Sequence, residues 1–179
     1  MRSLRIPIPP VTDPLRLPAD AGSAFHRWKN NFDLKTVMEI RVIEMSGPEY
    51  PAVYELRDRV LRQPIGLSLD DEDLSRERSE FTLAAFDGEQ LLGCVMLRPR
   101  PDGEMKLRQM AVYPEFQGRK VGAALVRAAE AFAREKAFEI MSLHARDYAV
   151  PFYEKSGYRI EGDGFKEMGI PHHLMLKKL

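Results

Sequence analysis

A single cysteine, Cys94, occurs in the 179 residues of the chain. This excludes an intramolecular disulfide and leaves a cysteine-based zinc site without ligands. Cys94 sits in the apolar run Leu91-Leu92-Gly93-Cys94-Val95-Met96-Leu97, the setting of a small buried hydrophobe rather than of a nucleophile. Net charge is also missing, because 27 Lys and Arg balance 27 Asp and Glu. No global field draws the chain to nucleic acid or to an anionic membrane, so any charge-driven binding has to be local. An aromatic–basic platform for nucleic acid is absent as well. No apolar run approaches the roughly 20 residues of a membrane span. The N-terminus lacks the continuous apolar segment of a signal peptide, so a cytoplasmic location is expected. There is no internal repeat and no low-complexity tract.

What is present is a globular composition, 44% hydrophobic and 30% charged, in a length suited to one domain with a real core. Residues 1–37 stand apart as an N-terminal extension, expected to be peripheral. Pro7, Pro9, Pro10, Pro14 and Pro18 break regular structure there. Phe25, Trp28 and Phe32 recur at helical spacing and predict one short amphipathic turn or helix within Ser23–Val37. The domain proper is expected over residues 38–179.

From Met38 the predicted elements alternate. Met38–Ile43 reads as a strand and Glu49–Leu61 as a helix. Asp70-Asp71-Glu72-Asp73 is a loop or short helix. Phe81–Phe86 and Leu91–Leu97, separated by Asp87-Gly88, predict a β-hairpin. Met105–Tyr113 is the next strand. Val121–Ala137 is the clearest helix: Val121, Leu125, Ala128 and Phe132 form one stripe, with Arg127, Glu130 and Arg134 on the wet side. Glu139–His144 is a strand, and Ala149–Ser156 a short helix capped by Gly157. Tyr158–Ile160 and His173–Leu176 close the list. Strands joined first by a hairpin and then by helices imply an α/β domain with a mixed sheet and helices on its faces.

The informative run is Met110-Ala111-Val112-Tyr113-Pro114-Glu115-Phe116-Gln117-Gly118-Arg119-Lys120-Val121-Gly122-Ala123. A strand ends, Pro114 turns the chain, and a helix begins near Lys120. The first N–H groups of a helix have no internal partners and lie at the positive end of its dipole, so they suit an anion such as pyrophosphate. Gly118, Gly122 and Ala123 remove bulk there, and Arg119 and Lys120 add positive charge. The same residues also fit a plain strand–loop–helix with small residues for packing. The run is neither a Walker A loop nor a G-x-G-x-x-G fingerprint, which argues against triphosphatase and dinucleotide readings.

This segment resembles motif A of the GNAT superfamily of acetyl-CoA-dependent acyltransferases, Q/R-x-x-G-x-G/A. Gln117 and Gly122 match its first and last positions, while Lys120 stands where the inner glycine is usual. The expectation is that a helix-start conformation lets Lys120 offer its backbone N–H without needing glycine. His144–Tyr158 resembles the family's strand–helix region ending in F-Y-x-x-x-G-F/Y. The tail Phe165–His173, with Gly169-Ile170-Pro171-His172, is similar to a bacterial subgroup with a G-I-P-H ending, and Glu55–Gly66 resembles that subgroup's first helix and loop. The resemblance covers residues 38–179.

The resemblance implies a mostly antiparallel GNAT-like sheet with helices on both faces. It implies acetyl-CoA as cosubstrate, no metal, and direct transfer to the primary amine of a small-molecule or peptide acceptor, by a monomer or homodimer. Pantetheine would pair with Met110, Ala111 and Val112 in a gap between splayed strands, and Gln117–Ala123, Val121 included, would hold the pyrophosphate. Catalysis would rest on alignment and oxyanion stabilisation by backbone N–H near Met110–Val112. Tyr153 matches the position that faces the CoA sulfur, where a phenol of ordinary acidity could protonate the leaving thiolate. His144 is a candidate base or a structural hydrogen-bonding residue, and His172 a candidate on the acceptor side. Arg57 and Arg62 are candidates for holding an acceptor carboxylate. Asp70–Asp73 either attracts a cationic amine or is a solvated face. The competing function is a non-catalytic acyl-CoA sensor.

Overall fold

The computed structural model describes residues 28–31 and 37–179. The expected helix between Ser23 and Val37 is corrected at its centre. Trp28–Asn31 is a strand, β1, paired antiparallel with β2, Val37–Ile43. Phe25 and Phe32 lie outside the described residues. Hydrogen bonding along the edge of β2 overrides the helical spacing of three aromatics. A chain starting at Met38 lacks β1 and bares that edge. It should still fold, melting a few degrees below the full chain in calorimetry.

β3 (Phe81–Asp87) and β4 (Gln90–Pro99) form the predicted hairpin, closed by the two-residue loop Gly88-Glu89. β5 follows over Glu104–Val112, β6 over Ile140–Arg146, β7 over Arg159–Ile160, β8 over Phe165–Glu167 and β9 over Ile170–Lys178. They form one sheet in the order β1-β2-β3-β4-β5-β6-β9-β7, with β8 hairpinned onto β9. Among the described strands every pairing is antiparallel except β5 with β6.

Both faces of the sheet are covered, which explains the unbroken apolar runs of β3 and β4. Leu83, Ala85 and Val95 face one side with helix α2, Val121–Glu135, supplying Val121, Leu125, Ala128 and Phe132. Ala84, Phe86 and Cys94 face the other, against Val53 and Leu56 of helix α1, Tyr50–Arg57. Successive residues point to opposite faces because the strand period is two. Cys94 is fully buried, and burial pushes its thiol up to about 12, so it is the inert hydrophobe expected.

Three helical details depart from the sequence reading. α1 does not run to Leu61 as one helix but widens into a π-turn over Asp58–Arg62. Glu130 does not lie on the wet side of α2. It is buried and accepts a hydrogen bond from Lys177 Nζ of β9 at 2.7 Å. Helix α3 spans only Val150–Glu154. It ends as expected on Gly157, whose φ of +89° allows Gly157 N–H to bond Glu154 O and Tyr158 N–H to bond Tyr153 O.

Candidate active site

The β5–β6 ladder is short. It runs from Glu104 opposite Ile140 to Leu107 opposite Leu143, and then stops. β6 continues to Arg146 with its other edge held by β9, while β5 continues to Val112 held by β4. The cause is a bulge. Arg108 pairs with Met96 and Ala111 with Cys94, so Gln109 and Met110 together oppose Val95. Gln109 takes a φ of +48°. A bulge bends its strand and raises the local twist, which turns β5 away from β6. The parted strands open a cleft of about 750 Å³ that reaches from Arg98 and His172 to the start of α2.

Arg57 pins the bulge. Its Nε donates to Gln109 Oε1 at 2.6 Å, and its Nη1 and Nη2 donate to Glu77 Oε2 and Oε1 at 2.9 and 2.5 Å. The guanidinium is fully buried and saturated by these partners. Arg57 therefore does not hold an acceptor carboxylate, contrary to the sequence expectation. Arg62 does line the cleft, but Glu72 grips it at Nε and again at Nη2, 3.1 Å. Its charge is spent on the loop. Asp70 accepts from Tyr54 and Asp73 from Ser75 N–H, so the acidic run folds its own surface and does not face the cleft.

At the other end, Pro114–Phe116 makes a 3-10 turn and Gly118 follows at φ +76° with no atom within 4 Å of a built Cβ. Gln117 Nε2 donates to Val112 O at 3.2 Å and ties this loop to the end of β5. The first bond α2 makes to its cap is Ala124 N–H to Lys120 O, 3.0 Å. The N–H groups before it have no acceptor inside the helix. Lys120 itself adopts φ +63°, ψ +12°. This overturns the expectation that the position needs no glycine. The conformation is the left-handed one that glycine takes freely, and a lysine there carries a strain of about 1–2 kcal/mol. Gly122 lies across from Phe152, whose Cζ would be 3.4 Å from an added Cβ.

Of the expected binding residues, Met110, Val112, Gln117, Gly118, Lys120, Val121, Gly122 and Ala123 line the cleft. Ala111 does not: its side chain is buried on the opposite face beside Cys94 and Leu56, leaving only its backbone for any pairing. The Arg119 guanidinium lies over the Phe116 ring, 5.3 Å from its centre, and is not part of the cleft wall.

The candidate catalytic residues Tyr153, His144 and His172 all line the cleft. His172 Nδ1 donates to Ile170 O at 2.8 Å, and its ring stacks on Phe165. His144 is held by residues that sequence reasoning missed. Its Nδ1 lies 2.5 Å from Glu167 Oε2, its Nε2 lies 2.9 Å from Lys106 Nζ, and its ring meets the Phe165 ring edge-on at 4.8 Å. Burial alone would raise the Glu167 carboxyl, but the His144 hydrogen bond and the charges of His144, Lys106 and His172 hold it below its ordinary value. Burial lowers the Lys106 ammonium, helped by Arg100, Arg108 and Arg98 and opposed by Glu167. The one available signal for Lys106 was its cleft-facing place in the alternation of β5. Glu167 had none, because strand β8 was not foreseen.

Tyr153 differs from expectation in its chemistry. Desolvation by burial, with a small contribution from Tyr148, drives its phenol well above the ordinary value. At neutral pH it is a protonated hydroxyl that can donate a hydrogen bond but yields its proton reluctantly.

Among the described residues no cluster of three or more His, Cys, Asp or Glu could hold a metal ion, and no helix is long and apolar enough to cross a membrane.

Known proteins share this architecture. YjcF of Bacillus subtilis, named as an uncharacterized N-acetyltransferase, is 28% identical over 137 residues, 76% of this chain and 97% of that protein. A crystal structure of a candidate N-acetyltransferase from Lactobacillus plantarum superposes with a TM-score of 0.72 at 26% identity, covering 79% of this chain and 98% of the other. A Bacillus subtilis acetyltransferase crystallised with CoA has the same fold, with a TM-score of 0.62 at 20% identity over 79% of this chain and 99% of its own. The family profile described as acetyltransferase (GNAT) matches residues 41–158, a stretch that holds the bulge, the parted strands and the open start of α2. With that match, the chain belongs to the acetyltransferase (GNAT) family and is an acyltransferase.

Proposed function

We propose that this protein is an acetyl-CoA-dependent N-acetyltransferase acting on a primary amine of a small molecule or peptide. The observation that carries this reading is the continuity of the cleft. The parted strands lead without a break into the N-terminus of α2, a slot and an anion site in one groove. When bound, acetyl-CoA supplies the acyl group as a thioester. Met110 and Val112 would border its pantetheine and Gln117–Ala123 its pyrophosphate. The fit rests on Gly118, whose φ of +76° and open surroundings leave bare backbone facing the cleft, and on Gly122, which brings no side chain between α2 and Phe152. A cytoplasmic setting suits the lone buried thiol.

The acceptor would enter from the side of His144, Glu167 and His172, where Met168-Gly169 joins β8 to β9 and Ile170-Pro171-His172 opens β9. This arrangement supports placing the chain in the subgroup that carries such an ending. With Glu167 accepting the hydrogen bond from Nδ1, His144 Nε2 is left unprotonated beside Lys106 Nζ and can receive a proton from an amine, directly or through Lys106. That dyad favours an enzyme over a sensor. The test is isothermal titration with acetyl-CoA followed by a CoA-release screen over diverse amines. Tight binding without release for any amine would support the sensor.

Tyr153→Phe keeps the ring and deletes the hydroxyl. Turnover should fall by roughly 10–10², at the low end of general acid catalysis, because the buried phenol stabilises the departing sulfur mainly by a hydrogen bond. A phenol of ordinary acidity would give the pH–rate profile a high-pH limb that the variant loses. With the phenol raised, any limb below about pH 10 belongs to another group and should persist in the variant. A pH–rate series on both proteins checks this.

A further inference from the structure

We propose that Lys106 is itself an acyl acceptor, so that the enzyme acetylates its own cleft lysine when no outside amine is present. The proposal rests on the reading of the cleft as an acetyl-CoA site. Lys106 pairs with Ser142, one step before the β5–β6 ladder ends at Leu107 and Leu143. Its side chain reaches forward to His144, the first β6 residue beyond the ladder, at the point where the strands part. Lys106, His144 and Tyr153 all line the same cleft.

The contacts match what an acceptor amine requires. Glu167 accepts the Nδ1–H hydrogen bond of His144, which leaves Nε2 as the unprotonated nitrogen. Lys106 Nζ sits over the imidazole, 2.9 Å from Nε2 and 3.3 Å from Nδ1, so a turn of the lysine side chain brings it to the Nε2 lone pair. The edge-on Phe165 ring supports the imidazole in that orientation. Among the described residues no carboxylate lies within ion-pair distance of Lys106, so its contact is an imidazole that accepts a proton rather than an anion that locks one on. Half-burial, opposed by Glu167 and helped by Arg100, Arg108 and Arg98, leaves the ammonium losing its proton more readily than a free lysine.

The transfer balances. The Lys106 ammonium gives one proton to His144 Nε2. Its lone pair attacks the thioester carbonyl carbon of acetyl-CoA, the N–C bond forms and the C–S bond breaks. The second proton lost by the nitrogen passes to the sulfur, releasing CoA as the thiol, and His144 returns its proton to water. The product is an uncharged Nε-acetyl-lysine inside the acceptor end of the cleft, which would slow later turnover of outside amines.

The experiment incubates the purified full chain with acetyl-CoA and no amine, then maps acetylated peptides by mass spectrometry over time. Lys106 should gain one acetyl group at least roughly tenfold faster than the exposed Lys136 and Lys155, because the reactants are held together. Glu167→Gln should slow Lys106 without changing those two, whose acetylation is solvent chemistry. Titration with acetyl-CoA runs in parallel. If acetyl-CoA binds but Lys106 gains acetyl no faster than Lys136 and Lys155, the proposal is overturned and the proposed function stands. If acetyl-CoA does not bind at all, both fall.

Discussion

Replacing Gly122 with glutamate should lower acetyl-CoA affinity by about a hundredfold or more, near 3 kcal/mol, while the protein stays folded. Two effects act together. The Cβ alone would stand 3.4 Å from Phe152 Cζ and 3.7 Å from Met110 Cε, tight but ordinary spacing that a small shift of the ring relieves. Gly122 lies in the first turn of α2 at a normal helical φ, so no backbone strain is added. The loss falls on binding instead. A carboxylate would sit among the N–H groups proposed to hold the pyrophosphate, occupying that anion site and repelling the phosphates. Isothermal titration measures the affinity, and circular dichroism verifies the fold. Unchanged affinity would remove the start of α2 from the binding site. Gly122→Ala serves as the mild control, with a loss well under tenfold.

Arg57→Ala should cost about 3–5 kcal/mol of stability. Arg57 and Glu77 are almost fully buried, at 0% and 3% exposure, and the bidentate bond between them satisfies both charges. Removing the guanidinium strands the Glu77 carboxylate in the interior and leaves Gln109 Oε1 without its donor. A domain of this size melts about 2–4 °C lower per kcal/mol, so a drop on the order of 10 °C is expected in thermal unfolding. The double variant Arg57→Met, Glu77→Leu removes both charges and should recover much of that loss. It should not recover acetyl-CoA binding in full, because Gln109 then lacks the anchor that holds its left-handed turn at the bulge. If the single variant melts within 2 °C of the parent chain, as a roughly neutral surface change would, the buried pair is not a keystone of this fold.

Much of the fold was legible because its signals are local. Asp87-Gly88 between two apolar runs marked the β3–β4 hairpin. The stripe of Val121, Leu125, Ala128 and Phe132 marked α2, and Gly157 marked the end of α3. The misread elements lacked such signals. The aromatics near Trp28 recur at helical spacing, but the strand there exists because β2 offers an open edge. β8 is three residues long, Phe165–Glu167, and owes its pairing to β9. Glu130 looked solvent-facing from helical phase alone, and only the arrival of Lys177 from β9 made its burial tolerable.

The sequence by itself determined the local course of the chain at the proposed cradle. Small side chains at Gly118, Gly122 and Ala123, a turn at Pro114 and an amphipathic helix after it leave little freedom for the local chain. It did not determine which charges are free to act. Arg57, Arg62 and Arg119 read alike as cations near a site. Their partners lie 20 residues away at Glu77, 10 away at Glu72, and three away on the Phe116 ring. Nor did it show that Lys106, His144 and Glu167 meet, since they come from β5, β6 and β8. Burial and charge pairing are sums over neighbours in space, and a side chain's proton affinity follows from those sums. Only the tertiary structure supplies the neighbours. It therefore decided that Tyr153 is a reluctant acid, that Arg57 is an anchor, and that an imidazole in contact with a carboxylate and an amine lines the cleft.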